Sequence, residues 1–168
     1  MTEPRSERPD MADYGVPDDL DGVLPWSWAE ERLLACRNYF VVTASAAARP
    51  HVMPVWGVWL PEPGTFAFSC SPSSRKVRNI EANPQVSVAV DDSVEVVVLE
   101  GRAAFVEPAT VADELHAFAS KYWDDPQAVT DGEAFLAQNK VVQVTPERAF
   151  GIIEREEDFG PRATRWVW

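Results

Sequence analysis

Histidine and cysteine are both scarce in this chain: its 168 residues contain two of each. His51 and His116 are far apart and no H-E-x-x-H occurs, so a histidine-built metal site is not expected. Cys36 and Cys70 lack paired spacing, which suits buried reduced thiols better than a disulfide framework. The eight glycines form no G-x-G pair, no G-K-[ST] and no G-x-S-x-G. Their absence removes the common nucleotide phosphate loops and the hydrolase elbow. No apolar run approaches the roughly 20 residues needed to cross a bilayer, and nothing resembles a signal peptide, so a cytoplasmic protein without a membrane partner is expected. Positive charge is in short supply too: 15 Lys and Arg against 27 Asp and Glu leave a formal net charge of -12, the wrong sign for a nucleic-acid partner. The carboxylates are dispersed, so no catalytic acid pair stands out and no catalytic residue is assigned.

What the chain does have is enough apolar material, 46% of its residues, to fill one core. A single domain over residues 23–168 is expected, preceded by an arm, residues 1–22, crowded with Pro and charge and read as flexible. Ser27-Trp28-Ala29-Glu30 has capping-box spacing and predicts a helix to about Cys36. Asn38 to Ala44 reads as a strand entering a hairpin. His51 to Leu60 is apolar at nearly every position and reads as a strand covered on both faces, with a bulge or bend at Pro54 and Gly57. Thr65 to Cys70 returns as a strand, a short helix follows to about Asn83, and Val86–Val90 and Val94–Val106 are strands, the second interrupted at Gly101. Thr110 to Trp123 is a helix capped by Thr110, and a shorter one starts near Thr130. Val141–Thr145, Arg148–Glu154 and Arg162–Trp168 complete the strands. Many short strands with few helices predict a mainly β fold, a barrel with closed edges.

Ser71 to Asn79, SPSSRKVRN, stands out in so acidic a chain. Ser73 or Ser74 caps the helix, which puts Arg75 and Lys76 beside the free N–H groups of its first turn, where the helix dipole is already positive. A phosphate there would accept N–H, hydroxyl and charge-assisted bonds. Pairing of the same cations with some of the many carboxylates would also offset the misplacement. His51 shares a strand face with Met53 and Val55, where a histidine is more often structural than catalytic. Trp166 and Trp168 need burial against a partner copy or a planar ligand.

The strand RPHVMPVWGVW, its return FAFSC and the run SSRKVRNIEANPQVSVAV together resemble the pyridoxamine-phosphate-oxidase-like split-barrel flavoproteins. The opening LPWSWAEERL and the ending ATRW are similar to their actinobacterial branch of deazaflavin (coenzyme F420) reductases. The resemblance covers about Pro25 to Trp168. It implies a split β-barrel that forms a homodimer with cofactor sites at the interface. By matched position it implies cofactor binding by Ser74, Arg75 and Lys76 at the phosphate, with Asn79 one turn on. It also implies His51, Met53, Pro54, Val55 and Trp56 along the ribityl chain and ring, Ser69 and Cys70 beside the ring, and Arg165 and Trp166 from the partner subunit. Where pyridoxamine phosphate oxidases have Arg and Lys on the first strand, this chain has His51 and Trp56, and their R-x-x-P segment is missing. The resemblance therefore points away from vitamin B6 oxidation. It points to hydride transfer from F420 to an unsaturated organic substrate; FMN-dependent oxidation–reduction and a non-catalytic cofactor carrier or sensor are the alternatives.

Overall fold

The computed structural model describes residues 3–168. The strands are β1 (Arg5–Glu7), β2 (Asn38–Ala44), β3 (Pro50–Leu60), β4 (Thr65–Cys70), β5 (Gln85–Val90), β6 (Glu95–Val106), β7 (Lys140–Ile153) and β8 (Thr164–Val167). The helices are α1 (Trp26–Ala35), α2 (Arg75–Ala82), α3 (Ala112–Tyr122), α4 (Pro126–Ala137) and α5 (Glu156–Arg162). All pairings are antiparallel, and β2-β3-β4-β7-β6-β5 closes on itself through the β5–β2 ladder. The result is the six-stranded split barrel, mainly β, with β8 and β1 added along the second half of β7. Closure leaves no barrel strand at a free sheet edge, which is what lets so many short strands coexist.

Alternation decides the core. Tyr39, Val41, Val55, Trp59, Phe66, Phe68, Val88, Leu99, Val142 and Val144 point inward, where Trp26 and Leu33 of α1 and Trp166 of β8 join them. A second cluster, Val58, Leu60, Ala67 and Val141 against Leu115, Phe118 and Leu136, lies outside the barrel beneath α3 and α4. The interruption foreseen at Gly101 is a bulge: the register shifts between Glu100 and Gly101 opposite Pro146 and Arg148. A Cβ at Gly101 would come within 2.1 Å of the Thr145 carbonyl oxygen, so only glycine allows the two strands to close there.

Several expectations need correction. The described part of the arm, residues 3–22, carries structure that its composition did not announce, residues 1 and 2 lying outside the described residues. β1 pairs with β8, and the Arg8 guanidinium donates to the carbonyls of Asp19 and Asp21 (2.6 Å each) and of Pro161 and Ala163 (2.9 Å each). A polar segment needs no apolar period to dock when its backbone completes a ladder and one arginine gathers four carbonyls. β3 is not covered on both faces throughout, since Val52, Met53 and Trp56 are exposed. Nor does β3 bulge at Pro54, because its register with β2 runs unbroken from Pro50 to Trp56. β7 is one bulged strand rather than two. The capping residue of α3 is Val111 rather than Thr110, and α4 starts at Pro126 behind the Asp125 cap. α5 replaces the beginning of the last expected strand.

Candidate functional site

The basic helix start is built as its residues dictate. Ser74 is the N-cap, its Oγ accepting from the Val77 N–H at 3.3 Å, so Arg75 and Lys76 do enter the first turn. The buried Asn79 anchors the helix to the barrel by donating from Nδ2 to Thr43 Oγ1 at 2.9 Å. Across from it the β2–β3 turn folds back: Ala48 has φ 55, in the left-handed region, and the Arg49 N–H bonds Ser45 Oγ at 3.2 Å. Helix and turn enclose a cleft of about 310 Å³ lined by Ser45, Arg49, Pro50, His51, Arg75, Arg78 and Asn79.

Arg49, Arg75 and Arg78 of the cleft, and Lys76 beside Arg75, have no carboxylate partner among the described residues. Among the described residues no salt bridge reaches Arg49, Arg75, Lys76 or Arg78, whereas Arg32 and Arg155 share Glu95, Arg148 pairs with Glu100 and Arg165 with Glu7. Arg78 instead donates from Nη1 to the Ser73 carbonyl at 2.7 Å, folding its charge back over the helix start. His51 faces the same space with a buried Nδ1 that lacks a hydrogen-bond partner. Burial, reinforced by the charges of Arg75 and Lys76, lowers its pKa and favours neutral imidazole. A concave site with misplaced, uncompensated cations and an orphan ring nitrogen is complementary to a polyanionic ligand.

The other expected residues divide. Cys70 is buried at the end of β4; burial raises its thiol pKa, while a hydrogen bond to Ser74 and the charge of Lys76 oppose the rise. Ser69, half-buried, precedes it. Met53, Pro54 and Trp56 are exposed along the first half of β3, and the Trp56 ring stacks on Tyr122 at 4.8 Å and 11°. Val55 turns its side chain into the core, so only its backbone is left to face a ligand. Arg165 is held by Glu7 of β1, with Nε to Oε2 at 3.0 Å. Trp166 corrects the expectation most clearly. It is fully buried in its own barrel against Trp26 and above Gly151, and it offers no ring face to a cofactor or partner. The strand period turns residue 166 inward, which a matched terminal motif could not reveal.

Two further residues escaped the sequence reading. β3 leaves β2 after Trp56 and joins β4 at Gly57. There Tyr122 Oη accepts from the Gly57 N–H at 2.8 Å, and Lys121 Nζ donates to the Gly57 carbonyl at 3.2 Å and to Tyr39 Oη at 2.6 Å. Burial lowers the Lys121 pKa to about 8. Only helical spacing marked α3 in the sequence, and that spacing does not show which backbone groups its last turn would meet.

The family model of pyridoxamine 5'-phosphate oxidase matches residues 29–152. Among solved structures, the conserved hypothetical protein Rv2991 of Mycobacterium tuberculosis is 17% identical with a TM-score of 0.71, the alignment covering 84% of this chain and 92% of that one. An F420 reductase is 23% identical (TM-score 0.53; 71% and 94% covered), and HutZ, a heme storage protein of Vibrio cholerae, is 21% identical (TM-score 0.58; 71% and 87% covered). At such identities the structural likeness speaks for the fold. No curated protein matches the chain in sequence.

Proposed function

Because the chain belongs to the pyridoxamine 5'-phosphate oxidase-like split-barrel family, whose fold binds flavin-type cofactors, we propose that it is an oxidoreductase that holds the deazaflavin F420 and passes hydride to an unsaturated organic substrate. The observation that carries this reading is the cleft lined by three arginines, with Lys76 next to Arg75 on the same helix turn, none of them paired with a carboxylate among the described residues. Ser74, Arg75 and Lys76 would take the cofactor phosphate at the helix start. Arg49 and Arg78 are more than one phosphate requires, and they suit the anionic polyglutamate tail that F420 has and FMN lacks. His51, neutral, presents Nδ1 as a hydrogen-bonding atom on the cleft wall.

When bound, the cofactor supplies the hydride; the protein's part is to hold it, orient its ring and keep water away. Met53, Pro54 and Trp56 would flank the ring along β3, with Ser69 and Cys70 on β4. The outer face of β2 and β3 exposes Phe40, Val52 and Trp56 together. In this reading a second copy covers that face as a homodimer and closes the cleft. The corresponding compartment is the cytoplasm.

The test is titration of the purified protein with F420 and, separately, FMN, followed by fluorescence polarisation. F420 is expected to bind more tightly, and Arg75→Ala with Lys76→Ala to cost at least about a hundredfold in affinity, because charge-assisted bonds are worth about 1.5–3 kcal/mol each. Thermal unfolding of the double variant should stay close to that of the parent. Tighter FMN binding would overturn the choice of cofactor, and unchanged affinity in the variant would overturn the anchor. Binding without turnover of reduced F420 against a panel of enones and quinones would leave a carrier or sensor.

A further inference from the structure

Of the residues that line the basic cleft, only His51 can change its charge near neutral pH, because arginine keeps its proton throughout. Every charged group around the ring is a cation: Arg49 from the β2–β3 turn, Arg75 and Arg78 from α2, and Lys76 next to Arg75. The other neighbours are neutral. They are Ser45 and Pro50 beside the turn, Asn79 on α2, and Thr43, which stands opposite His51 on β2 and takes its own hydrogen bond from Asn79. No described carboxylate lines the cleft. Before an anion binds, these surroundings oppose a proton on the ring, and the buried Nδ1 has no hydrogen-bond partner. A bound anion reverses both conditions. Sulfate- or phosphate-type oxygens only accept hydrogen bonds, so Nδ1 has to carry a proton to bond one, and the anion's charge cancels the repulsion from the arginines.

We propose that anion binding in this cleft is coupled to protonation of His51, so that the site takes a proton from solvent as its ligand enters and holds anions more tightly at mildly acidic pH. The inference rests on the reading that the cleft receives an anionic group of the cofactor, and it adds a cation that exists only when the ligand is present. The ring is half-buried, so solvent can supply the proton. A lysine or arginine at position 51 would add permanently to the repulsion among Arg49, Arg75 and Arg78, whereas histidine adds its charge only against a counter-charge. The sign follows directly. Once pH is low enough to protonate the ring without ligand, both states are charged; once it is too high for the ring to hold a proton beside the anion, neither is. Affinity therefore climbs as pH falls between those limits and levels off on either side.

Sulfate is the probe, because it stays dianionic across the range in which histidine titrates and brings no proton of its own. The chain has two histidines, so labelled imidazoles give two NMR titration curves, assigned with His116→Gln. His116 pairs with Glu133 at 2.6 Å, shares no lining with the cleft and serves as the internal control. At constant ionic strength, sulfate should raise the His51 midpoint by at least about one pH unit and leave that of His116 in place. The same shift read as binding makes sulfate at least about tenfold tighter at about pH 5.5 than at about pH 8. His51→Gln keeps a neutral N–H donor and should lose most of that pH dependence. A His51 midpoint that sulfate leaves unmoved, equal affinity at the two pH values, or pH dependence retained in His51→Gln would overturn the proposal. The unaltered chain decides the matter even where the variant is unstable. Sulfate needs no deazaflavin, so a protein that shows this linkage yet fails to bind F420 would keep the proposal and overturn only the choice of cofactor.

Discussion

The two halves of β3 are one continuous strand with opposite fates. From Gly57 to Leu60 it pairs with β4, sends Trp59 into the barrel and Val58 and Leu60 beneath α3 and α4, and is buried at every residue. From Pro50 to Trp56 it pairs with β2 alone, and of those residues only Val55 is buried. Both halves are equally apolar in sequence. The difference is what lies across them: α3 and α4 in one case, and in the other, among the described residues, little beyond the Tyr122 ring against Trp56 and the start of α2 beside His51. The half left uncovered is the half that runs to the basic cleft at Pro50 and His51.

That contrast can be broken at graded cost. Phe66→Ala, on the strand facing the buried half, should lose about 3–5 kcal/mol in urea unfolding, because Phe66 is fully buried and leaves a cavity. Gly57→Ala should cost about 1–3 kcal/mol, since its Cβ would stand 2.2 Å from Phe66 Cζ and 3.0 Å from the Ala67 carbonyl oxygen in a packed core. Tyr122→Phe removes the acceptor for the Gly57 N–H where β3 changes partner; calorimetric melting should show a loss of about 1–2 kcal/mol. At the small end, Met53→Ala in the exposed half should change stability by no more than about 0.5 kcal/mol. A large loss there would mean that the open half is covered after all in the assembled protein.

Lys121 sharpens the same boundary through pH. Its pKa falls from an ordinary 10.5 to about 8 in the folded chain, so between those values the unfolded state binds more protons. Stability should therefore rise with pH from about 8 to about 10.5 through this group, and the contribution is lost as pH falls through 8. Lys121→Met should flatten that part of the profile, measured by urea midpoints at successive pH values. An unchanged slope would show that Lys121 is not desolvated at Gly57.

Much of this was legible beforehand for a physical reason: local patterns report local structure. Period-two apolar runs marked β2, β4 and β5, and a serine before a polar turn marked the cap of α2. The missed features depend on contacts distant in sequence. Arg8 docks the arm through carbonyls up to 155 residues away, and α5 has no apolar stripe to announce it. The placing of Arg75 and Lys76 in the first turn of α2 was legible from the cap before them. The burial of Trp166 was not, because motif position says nothing about which face of a strand turns inward.

The sequence by itself determined that one barrel-sized domain would form and that an unfavourable trio of cations would open α2, because capping, period and charge are properties of neighbouring residues. Whether those cations find carboxylates was decided by the tertiary structure, and among the described residues they do not. Barrel closure brings Arg49 and His51 to the same cleft, and none of the described carboxylates lines it. Charge complementarity is a property of places in space, and the fold alone creates those places.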